Sequence, residues 1–308
     1  MAPTNDLVRS SALTRFRLAP NPGPMSLDGT NSYIISAAEP QAFRSQASQS
    51  QARDSPTPQS QARESHGAGQ PPQPTVVVDP GPLDTHHLEQ LAAAGPVELV
   101  LITHRHSDHT EASEQFHRLT GAPVRALDPA YCHGGDPLTD DEVIEAAGVE
   151  IRVLATPGHT SDSVSFHLPA DRPAGTDGGT EAGDSSEAGG ATGSVLTGDT
   201  ILGRGTTILD YPDGRLGPYL ESLRRLACLG PATVLPAHGP VLPDLAEICG
   251  AYTEHRQQRL DQIRQALETL GADAQADAVA DLVYNDVDPS VRGAALKSVQ
   301  AQLDYLRG

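Results

Sequence analysis

At 308 residues with 21 basic against 40 acidic side chains, the chain carries a formal charge of −19, which argues against an extended grip on a nucleic acid. No apolar run nears the roughly 18 residues of a membrane span, and the opening MAPTNDLVRSSALTRFRLAP has no hydrophobic signal core, so a cytoplasmic protein without a membrane partner is expected. Cys132, Cys228 and Cys249 share no C-x-x-C spacing, so neither a disulfide framework nor a cysteine zinc site follows, and a reducing compartment fits.

In chain order, strand patterns cover Arg15–Leu18, Asn31–Ile35 and Thr75–Asp79, and Thr85–Ala94 reads as a helix. The stretch from about 37 to 74 repeats SQAR and has too little apolar surface to offset its ordering entropy, so a disordered insertion is expected. Strands over Leu99–Thr103 and Val124–Ala126 bracket a helix over His109–Leu119, and another helix is predicted over Asp140–Ala147. Val149–Ala155 and Val164–His167 read as strands, followed by a second expected disordered insertion at about 169–193, rich in Gly, Ala, Asp and Glu. Strands Val195–Thr197 and Thr233–Leu235 then enclose a helix over Leu216–Leu229. The alternation predicts an α/β domain over 1–243, with sheets inside and helices outside. From 244 to 308 the pattern turns all-helical, over Leu245–Leu270, Ala274–Tyr284 and Pro289–Leu306, and reads as a small appended module. Leu260, Ile263, Leu267 and Leu270 give its long helix a packing face.

The apolar run VELVLI delivers THRHSDH, which places His104, His106, Asp108 and His109 at a strand end. Imidazoles and carboxylates are natural ligands of zinc or a similar divalent ion. Positions two apart share a side of an extended segment, while Asp108 and His109 sit at the turn into a helix, so the group can divide between two ions. His159 in VLATPGHT, Asp199 in VLTGDT and His238 in VLPAHGP each also follow a strand pattern, beside the Gly and Pro of a sharp turn. Four strand ends thus carry metal-ligand chemistry.

The ordered set THRHSDH, TPGH, TGD and AHG resembles the metallo-β-lactamase fold superfamily, and NPGPMSLDGTNSY, VVVDPGP, TGDTILGRGTT and YTEHRQQRLDQI are similar to its β-lactamase-like-protein-two branch. The resemblance spans nearly the whole chain outside the two insertions. It implies an αββα sandwich followed by a winged-helix-like module, and since LDYLRG comes directly after the last helix pattern, that module is expected without its β-hairpin wing. It also implies two Zn2+, or other divalent metals. His104, His106 and His159 would hold the first, Asp108, His109 and His238 the second, and Asp199 would bridge them. A metal-bound hydroxide would be the nucleophile, with Asp108 as the catalytic group that orients it or takes its proton.

Arg204 in LGRGTT could meet an anionic substrate group, or be a surface-loop arginine. His255, Arg256 and Arg259 in YTEHRQQR could bind a substrate carboxylate or phosphate, or be an ordinary helix face paired with Glu254 and Asp261. His86, His87, His117 and His167 read as solvent-facing or hydrogen-bonded, and His133 as a cleft candidate. From Leu245 onward six basic residues face ten acidic ones, a poor surface for DNA.

The same two-metal centre can attack esters, thioesters, lactams and phosphodiesters. The resemblance implies either a single-strand endoribonuclease acting on RNA or a thioesterase of the hydroxyacylglutathione hydrolase type acting on a small ester or thioester. A catalytically silent metal-binding scaffold is the reading from another class, disfavoured because every expected ligand is present. The sequence sets no oligomeric state.

Overall fold

Residues two apart on a strand share a face, and this period divides the apolar residues of the chain between two sides of each sheet. The computed structural model describes residues 7–37, 72–174, 193–285 and 292–308. The first sheet has six strands in the order β1 (Val8–Arg9), β2 (Thr14–Leu18), β3 (Asn31–Ile35), β4 (Thr75–Val78), β5 (Val97–Leu101) and β6 (Val124–Arg125). It is antiparallel up to β4, and β4, β5 and β6 run parallel. The second sheet has five strands, with β11 (Thr233–Pro236) beside β10 (Ser194–Gly198), then β9 (Val164–Leu168), β8 (Val149–Ala155) and β7 (Val143–Ala146). Among the described residues of that sheet, only β10 and β11 pair in parallel.

Tyr33, Ile35, Val76, Val78 and Leu101 of the first sheet meet Ile151, Val153, Phe166, Leu196 and Leu235 of the second in one buried core. The alternate residues Ile34, Val77 and Val100 face the other way, onto Leu88 and Leu91 of α1 (Thr85–Ala92) and Phe116 of α3 (Ser113–Thr120). Leu154, Val195 and Val234 do the same for the second sheet, against Leu216, Tyr219 and Leu223 of α4 (Leu216–Ala227) and Leu245 and Tyr252 of α5 (Leu245–Leu270). The architecture is therefore the αββα sandwich that the resemblance implied.

After Asp244, whose carboxylate accepts from the Glu247 N–H and caps α5, the described residues contain no strand. The far half of α5 packs through Ile263 and Ala266 on α6 (Ala276–Val283) and α7 (Arg292–Arg307), with Val279, Val299 and Leu303 in the shared cluster. One helix thus belongs to both packing units.

Two expectations need correction. The predicted helix over Asp140–Ala147 is the strand β7, because Ile144 and Ala146 alternate into the inter-sheet core while Val143 and Glu145 face out. Ala147 and Gly148, with φ of 50° and 70°, turn the chain tightly into β8. The predicted helix over His109–Leu119 is two helices, α2 (Ser107–Thr110) and α3, with the break after the metal-ligand motif. Apart from their flanks, the two low-complexity insertions lie outside the described residues.

Candidate metal centre

Parallel strands β4 and β5 end side by side, with Val78 opposite Leu101, so the residues that follow them emerge at one edge. Past β5 the chain extends through His104 and enters α2 at His106, which places Asp108 and His109 on the first turn. His159 follows β8, Asp199 follows β10 and His238 follows β11. The turn before His159 needs Gly158, whose φ is +143° and whose missing side chain lets Tyr219 approach; a Cβ there would stand 2.4 Å from the Tyr219 Cα.

All seven candidate ligands converge. The donor atoms of His104, His106, His159 and Asp199 lie within 4.8 Å of one another, as do those of Asp108, His109 and His238. His106 Nδ1 stands 3.0 Å from both His104 Nε2 and His159 Nε2. Tetrahedral zinc with bonds of about 2.0–2.1 Å to nitrogen sets its ligands roughly 3.3–3.4 Å apart, close to this spacing. His238 Nε2 and His109 Nε2 lie 3.2 and 3.4 Å from Asp108 Oδ2. Asp199 splits its carboxylate between the groups: Oδ2 is 3.6 Å from His159 Nε2, and Oδ1 is 3.2 Å from His238 Nε2.

Each imidazole is oriented by a partner on its other nitrogen. His109 Nδ1 meets Asp79 Oδ2 at 2.8 Å, His238 Nδ1 meets the Gly29 carbonyl at 3.0 Å, and His159 Nδ1 meets the Ile208 carbonyl at 2.6 Å. His104 Nδ1 meets the Thr103 hydroxyl at 3.1 Å, and that hydroxyl donates to Asp79. His106 Nε2 faces Asp210 Oδ2 at 3.3 Å. Such outer partners fix which nitrogen points inward and raise its basicity.

The chemistry of the donors suits a pair of divalent cations. Burial opposes the charge on Asp108 and Asp199, yet His109 and His238 hold both carboxyls well below the usual range. Against the same opposing burial, Asp199 and Asp108 push His238 up to about 10. Burial lowers His104 and His159, which therefore present neutral ring nitrogens. His109 Nε2, Asp199 Oδ1 and His238 Nε2 are buried with no hydrogen-bond partner. Orphaned inward donors around anionic oxygens are what a cation would satisfy.

A cleft of about 430 Å3 opens over this group, with His106, Asp108 and His159 in its floor and Met25, Ile208 and Ala294 in its walls. Lys297 of α7 reaches its rim and pairs with Asp210 at 2.6 Å. None of the four residues expected to bind substrate lines this cleft. Arg204 is exposed and pairs with Asp28. His255, Arg256 and Arg259 line a separate cavity beside it. Arg256 is buried, donating to the Thr207 carbonyl and lying 5.0 Å above the Tyr219 ring, so it is no part of a solvated helix face. Asp261 pairs with Arg264 rather than with this cluster. His87 is buried and bonded to the Ser32 hydroxyl, while His133 meets Ser113 away from the cleft.

Sequence reasoning missed Asp79, Asp210, Arg105 and Lys297. Asp79 carried a usable signal, since VVVDPGP ends a strand on a carboxylate before Pro-Gly just as VLTGDT does before its turn. Asp210 sits in the loop ILDYPDG with no such mark, yet it gathers Arg105, His106 and Lys297.

Residues 70–238 match the metallo-beta-lactamase superfamily. The chain is 26% identical to the beta-lactamase-like protein 2 homolog of Caenorhabditis elegans, over 96% of this chain and 84% of that protein. It is also 26% identical to an atrochrysone carboxyl ACP thioesterase of Aspergillus chevalieri, over 97% and 79% of the two chains. Among solved structures, a metallo-beta-lactamase family protein from Thermus thermophilus superposes with a TM-score of 0.64 at 22% identity, covering 95% of this chain and 93% of that one. A beta-lactamase domain protein from Burkholderia ambifaria gives 0.67 at 18% identity, covering 100% and 89%.

Proposed function

The chain belongs to the metallo-beta-lactamase superfamily of hydrolases, and from that premise we propose that it cleaves a small acyl thioester or ester at a two-zinc centre held by His104, His106, Asp108, His109, His159, Asp199 and His238. The observation that carries this reading is the cleft of about 430 Å3 above the ligand group, sized for a small molecule and offering Met25, Ile208 and Ala294 as an apolar side facing the polar ligand floor. A relative named as an acyl-carrier thioesterase supports the substrate class.

When bound, a divalent pair supplies Lewis acidity to the scissile carbonyl and acidifies water toward neutral pKa. The chain's own residues do the rest. Asp199 sets the spacing of the two ligand groups through its divided carboxylate. Asp108, steadied by the Thr30 hydroxyl at 3.2 Å, lies in the cleft floor and takes the proton of the attacking water. Oxygen bonds to the carbonyl carbon, the carbon–sulfur bond breaks, and Asp108 returns the proton to the departing thiolate. Met25, Ile208 and Ala294 give the acyl group its apolar contacts.

Single-strand endoribonuclease activity is the second reading, favoured by the 26% identity to a beta-lactamase-like protein 2 homolog over nearly the whole chain. Against it stands the rim cation Lys297, already paired with Asp210 and so poorly placed to track a phosphate backbone.

The experiment follows thiol release from an acyl thioester, beside cleavage of an end-labelled single-stranded RNA, with zinc-loaded wild type and Asp199→Ala. Thioester turnover is expected to fall by about 100-fold or more in the variant, as loss of charge stabilisation at a reacting carbonyl does. RNA cleavage that depends on Asp199, with the thioester untouched, would select the ribonuclease reading.

A further inference from the structure

Beside the metal cleft, between α5, the loop at 206–208 and α7, lies a second cavity of about 190 Å3. His255, Arg256 and Arg259 supply its basic side, and Thr206 and Ser298 add hydroxyl-bearing residues to the lining. Among the described lining residues none is acidic, in a chain with 40 acidic side chains. Neither guanidinium has a carboxylate partner among the described residues: Arg256 bonds to the Thr207 carbonyl and lies over Tyr219, and Arg259 bonds to Gln262 and lies over Tyr284. Arg256 is buried, and its Nε has no hydrogen-bond partner, nor does the buried Nδ1 of His255. Burial and the two adjacent guanidiniums push His255 below the usual imidazole range. Paired guanidiniums with no carboxylate partner among the described residues, set beside hydroxyls, are the recognition chemistry of a phosphate or carboxylate.

Ile208 and Ala294 line both this cavity and the metal cleft, so the two lie side by side across one shared wall. The intervening loop also joins them through its backbone, the Thr207 carbonyl accepting from Arg256 and the Ile208 carbonyl from His159.

We infer that the cavity is an anion subsite that takes a phosphate at the far end of the substrate, while the acyl group of that substrate lies at the metal ligands. This deepens the thioester reading and rests on it. It names the substrate class as an acyl thioester of a phosphorylated arm rather than of a simple thiol.

The first arm compares zinc-loaded wild type and Arg259→Gln on two acyl thioesters, one of pantetheine 4′-phosphate and one of pantetheine. Wild type is expected to show a KM about tenfold lower for the phosphorylated substrate, and Arg259→Gln to erase the difference. Arg264→Gln, whose guanidinium pairs with Asp261 on the same helix, serves as the control and keeps the wild-type ratio. The second arm is a calorimetric titration of the same proteins with inorganic phosphate at matched zinc content. Phosphate held at the metals is common to both proteins, so the subsite is read as binding weakened at least tenfold in Arg259→Gln. Identical titrations overturn the subsite. Arg259-dependent phosphate binding with equal KM for the two thioesters overturns the substrate assignment, and the cavity then holds a free anion. If neither thioester is hydrolysed, the thioester reading fails while the phosphate titration still decides the subsite.

Discussion

Asp79 Oδ2 lies 2.8 Å from His109 Nδ1 beneath the ligand cluster, with both residues almost wholly shielded from water. Asp79 also accepts from the Thr103 N–H and hydroxyl, so one carboxylate steers His109 directly and His104 through Thr103. Its backbone φ of 52° is unusual for a residue with a side chain and fixes the carboxylate under the site.

Asp79→Asn keeps the shape but removes the charge that orients His109. Metal affinity is expected to drop about 10- to 100-fold, the usual effect of losing an outer partner of a metal-bound imidazole. Competition with a chromogenic chelator measures it. A change below about threefold would detach Asp79 from the centre.

Chelation removes the cations that would satisfy His109, Asp199 and His238. A ligand held at about 1,000 times its Kd stabilises the folded state by about 4 kcal/mol, so the Tm should fall by roughly 10 °C and recover on adding zinc. Differential scanning with chelator, then with excess zinc, tests this; an unchanged Tm would mean that the ligand cluster does not bind zinc tightly.

Gly158→Ala places a Cβ 2.4 Å from the Tyr219 Cα, at a φ that side chains avoid. A destabilisation of about 2–4 kcal/mol is expected from overpacking and backbone strain. Urea midpoints of the zinc-loaded proteins report it, and a loss under about 0.5 kcal/mol would show that α4 yields freely.

His87 sits apart from the metal ligands, and burial depresses its pKa from 6.5 to about 4. The unfolded chain takes up this proton first, so the stability from a neutral His87 is present above pH 6.5 and is lost as pH falls toward 4. The full difference is worth about 3 kcal/mol. Urea midpoints from pH 7 to 4.5, at saturating zinc, should fall less steeply for His87→Gln than for wild type. Parallel curves would place the acid sensitivity elsewhere.

The candidate site was legible wherever a polar residue closed a strand and a turn residue followed, as at His159, Asp199 and His238. Asp79 obeyed the same rule but stood among β-branched residues that explained it as a strand end. Lys297 and Asp210 were invisible, because a contact between residues 87 positions apart has no local signature. The spacing of His255 and Arg259 showed that they share a helix face, but not that Arg256 beside them turns inward onto Tyr219. Asp140–Ala147 reads as helix because an acidic run in which only Ile144 and Ala146 alternate inward along the strand offers too short a period to reveal it.

The seven candidate donors come from both halves of the sandwich: four follow β5 of the first sheet, and His159, Asp199 and His238 follow strands of the second. A cation pair held by them would be a clasp rather than a tenant, closing only when the two sheets have met. Because the last of these donors is residue 238, such a pair would be captured only after most of the chain had been made, and its capture would report that the layers had assembled.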